Sequence, residues 1–202
     1  MTTNAGLQIA VGDLLGASHS RMTSLGRALD HADLRGAHRM RGRDAIAYAL
    51  PVVMGMAARD VPTQLAEILA LPIHVGRWTE GDTTRWAARR GLGTSDVGLG
   101  RTFGDIAGQV VDGDLQSLLG LDPACAVTIT VDSFGPQVTL AARDGDNQIA
   151  IVFASREFDP EGSAPLARRT TTLDERLIVR LAEILEAPLV THRVERDFDL
   201  QP

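Results

Sequence analysis

Lysine is absent from the 202 residues, so all twenty basic side chains are arginine. Arginine stays protonated near neutral pH, whereas a buried lysine can shed its proton and attack a carbonyl. Schiff-base catalysis, covalent pyridoxal phosphate attachment, a kinase-type ATP lysine and the P-loop lysine are therefore excluded. A GC-rich coding bias accounts for the absence with no functional gain, and evasion of lysine-modifying machinery is the alternative. Cysteine is nearly as scarce. Cys125 alone excludes an internal disulfide and every multi-cysteine zinc cluster, and points to a reducing, cytoplasmic setting. Five Phe, two Trp and one Tyr supply stacking platforms for single-stranded nucleic acid poorly. The longest near-apolar run, residues 45–58, contains Pro51 and spans 14 residues, short of the roughly 20 that cross a bilayer. Residues 1–5 lack the positive and apolar blocks of a secretory signal. No membrane partner is expected.

Hydrophobic residues make up 44% of the chain, enough to build the core of one large domain or two small ones. The net charge of −6 is unevenly spread: residues 1–100 carry 11 Arg against 9 acids, and residues 101–202 carry 9 Arg against 17 acids, giving +2 and −8. The basic excess concentrates in residues 17–43, where Arg21, Arg27, Arg35, Arg39, Arg41 and Arg43 face only Asp30 and Asp33. Such a segment suits phosphate or an acidic partner, or a solvated helix surface paired with the acidic half.

Periodicity changes along the chain. Ile46, Leu50, Val53 and Met54 fall on one face of a helix, with Pro51 predicting a kink or break. Asp60 before Val61 and Pro62 reads as an N-cap, followed by the stripe Leu65, Ile68 and Leu69. A further amphipathic stretch covers residues 105–119, weakened by Gly108 and Gly113. From Ala126 the period becomes two. Val127, Ile129 and Val131, then Val138 and Leu140, then Ile149, Ile151 and Phe153 predict a three-stranded meander, with a hairpin turn at Asp144-Gly145-Asp146. Small Ala150 and Ala154 on the opposite face of the third strand suggest close packing, a helix being the simplest cover. After a loop over residues 156–171, Thr172 and Glu175 read as a capping box ahead of Leu177, Ile178, Leu181, Ile184 and Leu185. Val190, His192 and Val194 predict a last strand. The expected fold is α+β: a mainly helical region 1–121 packed with an antiparallel sheet and helix of β-β-β-α-β order over 122–202, as one unit.

Four constellations are candidates for function. Residues 63–81 look like a degenerate helix-turn-helix, with a turn about a residue short and Gly76 inside the would-be recognition helix; a core helix ending at Pro72, followed by a short strand at 73–75, explains the same residues. The glycine-rich stretch 91–104 could cradle an anion beside Arg89, Arg90 and Arg101, but its spacing is GxGxxxG and no clear strand precedes it, which favours a connecting loop. His31 and His38 are seven apart and would share a face if one helix joined them, yet two ligands make no metal site. Cys125 carries no mark of an activated thiolate, no G-x-S-x-G elbow exists, and the acids Asp112/Asp114 and Asp144/Asp146 flank glycines in the manner of turns. No metal or cofactor is expected.

The fourth constellation pairs aromatics with arginine. Trp78 and Trp86 adjoin Arg77 and Arg85, with Arg89 and Arg90 following. Trp and Arg dominate binding hot spots, so these six residues are the expected partner-binding surface, with burial of the tryptophans in the core as the plainer reading. Three functional classes follow: a non-catalytic binding or assembly subunit that recognises a protein or small-molecule partner or self-associates; an enzyme with dispersed His, Asp and Arg; and a helix-turn-helix DNA-binding regulator. The first is the expected one, with DNA possible but not favoured.

Overall fold

Residues 42–53 are apolar on nearly every side, a composition that demands burial all round. In a computed structural model, which describes residues 4–34, 41–80, 83–87, 102–115, 125–132, 137–145, 147–155 and 170–186, with backbone only at 77–80, 83–87, 144 and 147, they form the central helix. This helix, α3 (Gly42–Val53), is flanked by α1 (Asn4–Leu15) and α2 (His19–His31). All side chains from Ala45 to Leu50 are fully buried. Pro51 lies inside the helix, which ends two residues later. There Gly55 takes φ 69° and Met56 N donates to Pro51 O at 2.8 Å, so the expected break becomes a glycine-terminated stop.

The other helix ends also follow local chemistry. Ser18 Oγ accepts from Arg21 N at 3.3 Å to start α2. That helix stops at His31, because Asp33 adopts φ 53° and Leu34 N reaches back to Leu29 O at 3.0 Å. No single helix therefore joins His31 to position 38, and His38 lies outside the described residues. Asp60 makes no side-chain cap bond. Instead a short 3₁₀ turn (Ala58–Asp60) and a π turn (Val61–Leu65) lead into α4 (Ala66–Ala70). Pro62 offers no N–H to a regular helical ladder, but Val61, Leu65, Ile68 and Leu69 are still buried.

The strands are β1 (Ile73–Glu80), β2 (Thr83–Ala87), β3 (Ala126–Asp132), β4 (Gln137–Asp144), β5 (Asn147–Ala154) and β6 (Thr170–Leu173). They form one antiparallel sheet of order β2-β1-β5-β4-β3-β6. The expected meander is β3, β4 and β5, with Gly145 at φ 57° in the β4–β5 turn. The α+β class holds, with changes to the expected order. Residues 73–80 form a strand, as in the reading that begins a short strand at 73–75 and against the helix-turn-helix alternative, but the strand runs on to Glu80: Ile73, Val75 and Thr79 are β-branched, Gly76 disfavours a helix, and hydrogen-bonded neighbours lie on both sides. Residues 170–173, of which 170 and 171 are expected to end a loop and Thr172 to cap a helix, pair with β3. Thr172 is therefore a strand residue, and Asp174 opens the last helix, α6 (Glu175–Glu186), its Oδ1 accepting from Leu177 N at 2.9 Å. The final strand expected at 190–194 lies outside the described residues.

Period-two burial gives the sheet a core face, for example Val131, Leu140, Ile151 and Leu173, continuous with a cluster that includes Ile178 and Leu181 of α6. Phe153 of β5 meets Phe103 edge to face at 5.5 Å, tying the sheet to α5 (Phe103–Val111). The other face is rich in threonine and alanine. Thr130 pairs with Thr139 on one side and Thr172 on the other. Ala150 and Ala154 are buried on this face, outside the cluster that the helices form. No helix among the described residues is long and apolar enough to cross a membrane.

Candidate protein-interaction surface

The Trp/Arg segment folds as the β1–β2 hairpin. Strand β1 begins straight after Pro72, a residue tolerated at strand starts because no ladder N–H is required of it there. Three backbone contacts fix this start: Phe103 N donates to Leu71 O at 2.8 Å, Ala154 N donates to Pro72 O at 3.2 Å, and Pro72 bridges to Thr102. The register between β1 and β5 shifts between Ile73 and Val75, so exposed His74 is the bulged residue. From Gly76 onward the pairing is regular, and Gly81 and Asp82 separate the last pair, Glu80 and Thr83.

This register brings four of the six candidate residues together. Arg77 pairs with Trp86, and Trp78 pairs with Arg85. Partners in an antiparallel ladder share a face, so each face of the hairpin carries one Arg and one Trp. The neighbouring strand identifies the faces. Arg77 also pairs with Ala150, and Trp78 with Ile149, a core residue. Arg77 and Trp86 thus take positions on the threonine-rich side, and Trp78 and Arg85 on the core side. Strand β2 is the edge of the sheet, with β1 as its neighbour. Arg89 and Arg90 lie outside the described residues, as does the stretch from Gly91 to Arg101. A strand does precede that glycine-rich stretch, namely β2.

Local charge is opposite in sign to that of the whole chain. Residues 73–87 contain Arg77 and Arg85 against Glu80 and Asp82, and Arg89 and Arg90 follow directly, on a chain of net charge −6. Arginine supplies a planar cation and tryptophan a large, flat, apolar body.

The other candidates are structural or dispersed. Exposed His19 and His31 stand at opposite ends of α2, roughly 18 Å apart at 1.5 Å per residue. Among the described residues no three His, Cys, Asp or Glu side chains gather as a metal site. Cys125 is buried immediately before β3. Asp112, one of the turn-like acids, accepts from Gly42 N at 2.8 Å and so caps the start of α3 from the end of α5. Asp105 forms a capping box with Thr102 and accepts from Arg43 Nη1 at 2.9 Å. Sequence reading missed this α3–α5 seam, although Gly42 and Gly108, which face each other across it, are its trace. The comparisons with known proteins give no family model, no curated protein and no solved structure that matches this chain.

Proposed function

We propose that the protein is a non-catalytic binding or assembly subunit that recognises a protein partner through the β1–β2 hairpin. The observation that supports this most is the register at the sheet edge, Arg77 with Trp86 and Trp78 with Arg85. Trp and Arg, both enriched in binding hot spots, are thereby gathered on paired strands rather than scattered along a loop. The ribbon continues into a six-stranded sheet packed on helices, so its shape is set before any partner arrives, which lowers the ordering cost of association. The single cysteine supports action in the cytoplasm.

Both tryptophans of the chain are in this hairpin, so intrinsic tryptophan emission reports on the hairpin and on no other part of the chain. The test combines affinity capture from source-cell lysate with light scattering. Wild type retains a defined partner or self-associates, its tryptophan emission shifting on binding. An Arg77→Glu, Trp86→Ala double variant loses both, and Ile9→Ala, at an exposed position of α1, retains them. A strict monomer that captures nothing, or capture unchanged in the double variant, overturns the reading.

A further inference from the structure

Independently of the hairpin, we infer that the chain is kept free of lysine so as to escape an enzyme that joins a polypeptide tag to side-chain amines and thereby marks proteins for proteolysis. Such an enzyme transfers the carboxyl end of the tag from an activated acyl donor, a thioester or acyl phosphate, to a lysine Nζ. The C–N bond of an amide forms as the bond to the leaving thiolate or phosphate breaks. The ammonium gives up two protons, one to solvent and one to the leaving group. Arginine cannot stand in for lysine in this step, because its guanidinium stays protonated and offers no free electron pair to the acyl carbon.

The fold does not demand arginine at its basic positions. Guanidinium is hard to replace where it is buried, bidentate or stacked. Every arginine whose side chain the structure describes is exposed instead, among them Arg27 on α2, Arg59 in the 3₁₀ turn, Arg143 on β4 and Arg180 on α6. The ion pairs at Arg43, Arg59 and Arg180 are single contacts, from Nη1 to Asp105 at 2.9 Å, from Nε to Asp60 at 3.6 Å and from Nη1 to Glu183 at 2.7 Å. An ammonium can make each of them.

Coding bias explains a shortage of lysine better than its complete absence. One A-to-G change in a codon turns lysine into arginine, and one A-to-G change turns isoleucine into valine, so such a bias acts on both pairs. Isoleucine still supplies 10 residues beside 15 valines, two fifths of that pair. The same share of the twenty basic side chains would be eight lysines, and there are none. Absence at every position also fits a tag better than a small acyl group. A small group acts where it lands, by removing one local charge, and need be avoided only there. A tag marks the whole chain from any reachable amine. With exposed basic positions on helices, a turn and a strand, escape requires arginine at all of them.

The test expresses the full chain in its source cells, as wild type and with one lysine at a time, Arg27→Lys, Arg59→Lys or Arg180→Lys, and follows decay after translation is blocked. Each lysine variant decays about threefold or more faster than wild type, and mass spectrometry finds the carboxyl end of a polypeptide tag on Nζ of the introduced lysine. Glutamine at the same three sites removes the guanidinium without supplying an amine, and those variants decay as wild type does. Urea midpoints of the purified lysine variants match wild type, which separates tagging from unfolding; a variant whose midpoint falls is set aside, and the other two carry the test. The inference is overturned if folded lysine variants decay at the wild-type rate, if they decay faster with no adduct, if glutamine variants decay as fast as lysine variants, or if the adduct is only a small acyl group.

Discussion

Alanine at Gly108 tests how α3 and α5 are held together. A Cβ at this position would lie 2.8 Å from Arg43 N, 3.0 Å from its Cβ and 3.1 Å from its Cα, so backbone of the facing helix must move. Overpacking costs roughly 1–3 kcal/mol and, where backbone rather than a flexible side chain must give, about 2–3 kcal/mol, while replacing glycine inside a helix returns about 1 kcal/mol. The net loss is therefore about 1–2 kcal/mol. Gly42 is tighter: its Cβ would overlap Gly108 O and press on Val111 Cβ, and Gly42→Ala also disturbs the amide held by Asp112, for a loss of about 3 kcal/mol or more. Gly104 faces Leu69 at 3.1–3.3 Å, partly side chain, and its alanine variant stays within about 0.5 kcal/mol of wild type as propensity offsets the squeeze. Urea unfolding followed by circular dichroism reads this order as midpoint shifts at constant m, about 0.5–1 M for Gly108→Ala with m near 2 kcal/mol/M. Gly108→Ala at or above wild-type stability, or Gly104→Ala as the most damaging of the three, refutes the close-packed seam.

Three further outcomes follow from local geometry. Asp33 holds φ 53° at the end of α2, where glycine is unstrained and a negative charge opposes the helix dipole, so Asp33→Gly raises stability by about 0.5–1 kcal/mol in the same urea assay; a loss would mean the carboxylate makes a contact worth more than the strain. Thr102→Ala removes the acceptor for Asp105 N and the hydroxyl donated to Asp105 Oδ2, costing about 1–2 kcal/mol, and an unchanged urea midpoint would show that this cap is dispensable. Cys125, buried and single, reacts with a thiol reagent about 100-fold or more slowly in native buffer than in denaturant, since attack requires opening; equal rates would place the thiol at the surface.

The meander was legible because β3 to β5 bury one face and leave the other partly wet, which writes period two into the chain, and because Asp144-Gly145 permits the positive φ of the turn. The stripe of α6 was equally plain: Ile178 and Leu181 are buried. Strand β1 was obscured because Ile73, Val75, Trp78 and Thr79 fit a strand while the preceding residues 63–70 suggested a helical pair. Strand β6 is four residues long and three of them are threonine, a pattern too short for periodicity to separate from a helix cap. Of the surface, the Trp/Arg composition was visible and its arrangement was not.

By itself the sequence determined the class of the fold, the helical first part and pleated second part, and the chemistry closed to a chain with no lysine and one cysteine, because these depend on local period and residue inventory. Only tertiary structure decided that residues 73–87 leave the helical region to become the edge of the sheet, and that Asp112 serves a helix seventy residues upstream. It also decided that Arg77 is registered with Trp86 and Trp78 with Arg85 across the ladder. Register is a relation between strands: it is set by which hydrophobic face must be buried against β5, and no single strand carries that information alone.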